Sequence, residues 1–218
     1  MSPGTRRVAV VDDDTVVREG LRVLLSSVEV VGAYGRHQQL LHAAPEVDVV
    51  LLDLNLDGLG TGGVRQGGSA VADVAAAGYR VLIYTNEHRL TVLAGCLSAG
   101  ASGIVHKTEP LERLSESVHA VHRGEFVITP ALVGLAELAQ RQGALPSLSP
   151  RQCQVLRGRA RGESYRRISR RLDISEKVAH EYMSVVTARF AQFLRDHSAA
   201  DLERHLGIGP GDLLDFGG

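Results

Sequence analysis

The chain has 218 residues, enough for one large domain or two small ones, and its 44% hydrophobic content with 4% aromatics is ordinary for a water-soluble fold. Lysine and arginine (24) nearly balance aspartate and glutamate (25), so the formal charge of −1 excludes a uniformly basic or acidic coat. No apolar run reaches membrane-spanning length. The two cysteines, Cys96 and Cys153, make neither a disulfide framework nor a metal-ligand spacing, which fits a reducing cytoplasm. The first seven residues lead straight into a strand without an apolar leader segment, so no secretory signal is expected.

Short runs rich in Val, Ile and Leu alternate with helical patterns through residue 124. The runs Val8–Val11, Val28–Ala33, Val47–Leu52, Arg80–Tyr84 and Ser102–His106 are predominantly apolar, as parallel strands buried on both faces are. Between them the periodicity predicts helices at Val16–Ser26, Gln38–Ala44, Ala70–Ala77, His88–Ala99 and Pro110–Arg123. Pro110 suits the first turn of the last of these and Gly124 its stop. Gly58–Gly68 is glycine-rich and reads as a flexible loop, with a short helix after it. Five strands alternating with five helices imply a doubly wound parallel sheet.

Residues 125–146 read as a linker containing a short helix, Pro130–Arg141. From 147 to 218 the pattern is all-helical. Ser149-Pro150-Arg151-Gln152 is a capping box with proline at the first helical position, and Gly162 ends that helix after Arg161. Ser164 caps a second helix through Leu172, and Ser175 caps a third with Glu176 in its first turn. A last short helix opens at Ser198–Asp201 and ends at Gly207, within an extended acidic tail. Between Arg151 and Arg171 stand eight arginines against one acid, Glu163, so the near-neutral total conceals a basic segment that suits an anionic partner.

The polar residues that interrupt the strands fall where strands end. Asp12, Asp13 and Asp14 follow the first strand, Asp53 the third, Thr85 the fourth and Lys107 the fifth. Ligands of open parallel sheets bind outside these carboxyl ends. Carboxylates brought together there repel unless a cation intervenes, and Mg²⁺ with two carboxylates, waters and a phosphate meets that need. A carboxylate beside such an ion, opposite a lysine, is equipped to receive a phosphoryl group.

With these residues in order, the chain resembles a response regulator receiver followed by a LuxR-type helix-turn-helix, as in the NarL/FixJ group. The resemblance extends to about residue 195. It implies a flavodoxin-like receiver over 1–124, a linker over 125–146 and a DNA-binding domain over 147–218. It also implies a non-enzymatic, cytoplasmic, dimeric transcription regulator with promoter DNA and a sensor histidine kinase as partners. On the matching positions Asp53 becomes the phosphoacceptor, and Asp12, Asp13, Asp53 and the Asn55 carbonyl hold the metal. Thr85 and Lys107 then contact the phosphoryl group. Arg166, Arg167, Arg170 and Arg171 would meet DNA phosphates, with Lys177 nearby; His180, Glu181 and Ser184 would face bases, and Arg189 the backbone. Ile168, Leu172 and Ile174 would fill the small core, with Met183 and Val186 packed on it.

Three departures from the family pattern touch the switch. Asp57 replaces the usual proline, Asn86 follows Thr85 where a small residue is usual, and Ile104 stands where Tyr or Phe usually swings inward. Two other readings therefore stay open. One is a phosphorylation-independent regulator whose receiver serves dimerisation or binds protein or ligand. The other is a phosphatase of haloacid-dehalogenase type, with Asp12 as nucleophile and Asp14 as general acid.

Overall fold

The computed structural model describes residues 5–55, 63–128, 130–143, 145 and 148–197. Their contacts divide the chain into two compact units that meet in sequence between Val127 and Ile128.

The first unit alternates β1 (Arg6–Val11), α1 (Thr15–Leu24), β2 (Val28–Tyr34), α2 (His37–Ala43), β3 (Val49–Leu52), α3 (Gly63–Ala76), β4 (Val81–Thr85), α4 (Leu90–Ser98), β5 (Gly103–His106) and α5 (Leu111–His122). The strands form one parallel sheet in the order β2-β1-β3-β4-β5, so the direction of winding reverses beside β1. β3, β4 and β5 are buried at every residue, which is why they read as unbroken apolar runs rather than alternating ones. On one face Val8, Val10, Leu51, Leu82, Tyr84 and Val105 pack with Leu21, Leu114, Val118 and Val121 of α1 and α5.

Local chemistry sets most boundaries. Asp14 caps α1 by accepting the Val16 N–H, and Gly124 leaves α5 at φ +80°, a conformation that costs glycine little. α3 differs from expectation. It starts at Gly63, seven residues before the predicted Ala70, and so is not short. Glycine disfavours helix, but Ala70, Val71 and Val74 are fully buried and anchor the C-terminal half, from which extension is far easier than nucleation. The remainder of the glycine-rich loop, with Asp57, lies outside the described residues.

The second unit is helical: α6 (Pro130–Arg141), α7 (Pro150–Ala160), α8 (Tyr165–Leu172) and α9 (Glu176–Asp196). The helix that the sequence places in the linker, α6, packs on α7 and α9 through a face that includes buried Leu132, Val133, Ala136 and Ala139. Ser149 and Gln152 form the reciprocal capping box of α7, and Ser164 and Ser175 accept the Arg167 and Val178 N–H groups at the starts of α8 and α9. Ile168, Leu172, Met183, Val186 and Phe190 are buried, whereas Ile174 is only half-buried. α7 and α8 approach closely at Gly158, where a Cβ would stand 2.9 Å from Ile168. The predicted helix from Ser198 and the tail beyond it lie outside the described residues. Among the described residues no helix is long and apolar enough to cross a membrane.

Candidate functional site: an acidic crevice and a basic helical face

Each strand that feeds the crevice hands on its last residue through backbone bonds. Asp12 N–H donates to the Tyr34 carbonyl, Asp53 N–H to Val11 and Lys107 N–H to Thr85, at 3.0, 2.9 and 2.9 Å. Parallel pairing thus carries the chain ends of β1, β3 and β5 to one place. Asp12, Asp53 and Thr85 are 1%, 5% and 2% exposed, and Asp13 is half-buried.

Lys107 occupies the centre. Its Nζ lies 2.7 Å from Asp12 Oδ2 and 2.7 Å from Asp53 Oδ2. The other oxygens face the backbone: Asp12 Oδ1 accepts the Asp14 N–H at 2.9 Å and Asp53 Oδ1 the Leu54 N–H at 2.8 Å. Burial raises the Asp12 carboxyl above its ordinary value, more than the Lys107 bond and the Asp14 amide offset. Burial also pulls the Lys107 ammonium down, but its bonds to Asp12 and Asp53 outweigh that and hold it above the usual lysine value. Carboxylate oxygens of Asp12, Asp13 and Asp53 lie within 4.8 Å of one another, a spacing that can hold a metal ion. Among the described residues, the three carboxylates and the Lys107 ammonium sum formally to −2, a charge that a divalent cation would cancel.

Around this centre, Thr85 Oγ1 accepts the Glu87 N–H at 3.3 Å, and Asn86 and Asn55 are exposed. Ile104 is 1% exposed, held in the core without a polar tip. Arg18 of α1, which sequence reasoning missed, donates from Nη1 to the Asp12 carbonyl at 2.5 Å and from Nη2 to Thr15 Oγ1 at 2.7 Å. Its only sequence signal is the i+3 spacing from Thr15. His106 stacks on His88 with ring centroids 4.5 Å apart, and burial together with the His88 charge lowers its pKa. Cys96 is buried and its thiol is pushed up to about 12, so it is inert.

The basic segment divides into two kinds of arginine. Arg151 donates to the Leu172 carbonyl at 3.1 Å, Arg159 to the Glu163 carbonyl at 2.6 Å, and Arg171 pairs with the Glu163 carboxylate at 3.1 Å. Arg151 thus ties α7 to α8, and Arg159 and Arg171 tie those helices to the turn between them. Arg157, Arg161, Arg166, Arg167 and Arg170 are exposed, and no ion pair engages them among the described residues. On α9, Lys177, His180 and Glu181 are exposed and Ser184 and Arg189 half-buried, while Ala179, Met183 and Val186 face the core. Sequence reasoning missed Tyr165. Its ring stacks on that of His180 with centroids 3.6 Å apart and planes inclined by 26°.

A doubly wound sheet with an acidic crevice at its carboxyl ends, joined to a helix-turn-helix, defines a regulator with a receiver and an effector. Residues 8–119 match the response regulator receiver domain family, and residues 146–191 match the luxR family of bacterial regulatory proteins. The chain belongs to the response regulator receiver family and is a two-component transcription regulator with a LuxR-type DNA-binding domain. It is 27% identical over 213 residues to the response regulator UvrY of Escherichia coli O6:H1, covering 92% of this chain and 93% of that one. It is 28% identical to the nitrate/nitrite response regulator protein NarL of Escherichia coli K12 over 78% of this chain and 82% of that one. A solved structure of two RcsB dimers bound to two parallel DNAs shares the fold at TM-score 0.52 and 20% identity, covering 94% of this chain and 99% of that one.

Proposed function

We propose that Asp53 accepts a phosphoryl group from a sensor histidine kinase and that this modification controls binding of the helical domain to promoter DNA. The observation that carries this is the position of Lys107, bonded at once to Asp12 and Asp53. One carboxylate oxygen of Asp53 bonds to phosphorus while the bond from phosphorus to the donor breaks and its electron pair leaves with the donor. Lys107 Nζ, released from its bridging position, neutralises the new phosphoryl oxygens, and the Thr85 hydroxyl donates to them. Asp12, Asp13, Asp53 and the Asn55 carbonyl are the residues that would hold Mg²⁺, which supplies positive charge for the phosphoryl oxygens. The protein acts in the cytoplasm as a homodimer and catalyses no turnover of its own.

On the DNA side, Arg166, Arg167, Arg170 and Lys177 contact phosphates, and His180, Glu181 and Ser184 face base edges. Arg171 and Arg189 stand beside them, Arg171 through a guanidinium shared with Glu163. A receiver that works without phosphate is the second reading. It is favoured by Ile104, a buried aliphatic residue with no hydroxyl or ring to respond to the crevice.

One experiment separates the two. Intact mass after incubation with acetyl phosphate and Mg²⁺ should show a single phosphate on the wild type and none on Asp53→Asn. No adduct, together with no beryllofluoride complex, would overturn phosphorylation control and leave the second reading.

A further inference from the structure

Three helices of the second unit converge on one ring. Tyr165 is the first residue of α8, directly after the Ser164 cap, and is half-buried. The imidazole of His180 on α9 stacks on it at 3.6 Å. From α7, the Arg159 guanidinium lies 4.6 Å from the same ring centroid and is itself tied to the Glu163 carbonyl. This cluster is no part of the apolar core, which Ile168, Leu172, Ala179 and Met183 fill. Its effect falls on an exposed histidine, which on a helix surface ordinarily samples several rotamers. Stacking on Tyr165 engages the faces of the ring and restricts that freedom. The nitrogens lie on its edge. His180 also shares its stripe with exposed Lys177 and Glu181 and half-buried Ser184, spaced three and four residues apart along α9.

We propose that Tyr165 is a positioning residue that presets His180 to read one base pair through an acceptor on its major-groove edge. The inference rests on the DNA-binding reading above. In the major groove an imidazole N–H finds acceptors at purine N7, guanine O6 and thymine O4. A side chain held in its bound rotamer before binding loses less freedom when it meets its base. The benefit appears at the base that His180 meets and not at the phosphates, whose contacts carry no sequence information.

The full chain would first select duplexes from a randomised pool. Wild type, Tyr165→Leu, Tyr165→Phe and His180→Ala would then be titrated, at one salt concentration, with the selected duplex, its single-position variants and unrelated DNA. Removing the imidazole in His180→Ala should reduce discrimination at one base pair by about five- to tenfold. Tyr165→Leu should reduce it at the same position, with affinity for unrelated DNA unchanged, and Tyr165→Phe should keep it. Without DNA, ring-current shifts should displace the His180 ring protons upfield in wild type and Tyr165→Phe and release them in Tyr165→Leu. If Tyr165→Leu retains the preference, or Tyr165→Phe loses it, or the two variants show the same ring-proton positions, this inference falls while DNA binding stands. A wild type that selects no sequence overturns sequence-specific DNA binding, and the inference with it.

Discussion

The two charged regions of this protein are built on opposite plans. In the receiver, three carboxylates and one ammonium converge from strand ends far apart in sequence, and Asp12 and Asp53 are almost wholly buried. In the helical domain, five arginines lie along α7 and α8 or just past α7, exposed and, among the described residues, outside any ion pair. Burial makes each crevice charge depend on its partners, because an unpaired ion in low dielectric costs several kcal/mol. Exposure makes each arginine nearly independent for stability yet additive for attraction to a polyanion. Position is therefore critical in the first region and sign in the second.

The largest effect is expected from Lys107→Ala. Removing the ammonium that bridges Asp12 and Asp53 should destabilise the receiver by about 3–5 kcal/mol in urea titrations without divalent ions, with added Mg²⁺ restoring part of the loss. An unchanged midpoint would show the crevice to be as tolerant as the arginine face.

The converse substitution, Arg166→Ala with Arg167→Ala, should leave the stability in urea within about 0.5 kcal/mol of wild type. It should also lower DNA affinity and reduce the slope of log K against log salt by roughly 0.9 for each phosphate left without its arginine. Equal loss of stability would mean that these arginines support the fold as Arg151 does.

The smallest effect is expected at the histidine pair beside the crevice. Burial and the neighbouring His88 lower the folded pKa of His106 from 6.5, so the unfolded chain binds the proton more readily. The stabilisation is fully present above about pH 6.5 and declines as pH falls from there through the folded value. Urea midpoints measured between pH 5 and 8 should show this slope in wild type and a shallower one in His106→Gln. Equal slopes would show that His106 does not report its burial.

Much of the fold was legible because its signals are local. Unbroken apolar runs marked β3, β4 and β5, and Ser149, Ser164 and Ser175 marked helix starts that the structure caps as expected. α3 was not, since glycine spoke against a helix whose buried half lies further along. Ile174 looked like core from its apolar side chain but sits in the turn between α8 and α9, where only part of it is covered.

The site divides in the same way. Sequence alone determined that carboxylates, a hydroxyl and a lysine stand at strand ends, because a polar residue after an apolar run needs only its neighbours to be recognised. It likewise determined the basic character of residues 151–171. Tertiary structure decided that Lys107 reaches across 54 residues to Asp53, that Arg151, Arg159 and Arg171 support helices while their neighbours face outward, and that Tyr165 holds His180. The reason is distance along the chain. Caps and periodicity are set within one or two turns, whereas a pairing between separate elements exists only once the strand order and helix packing have brought the two side chains together.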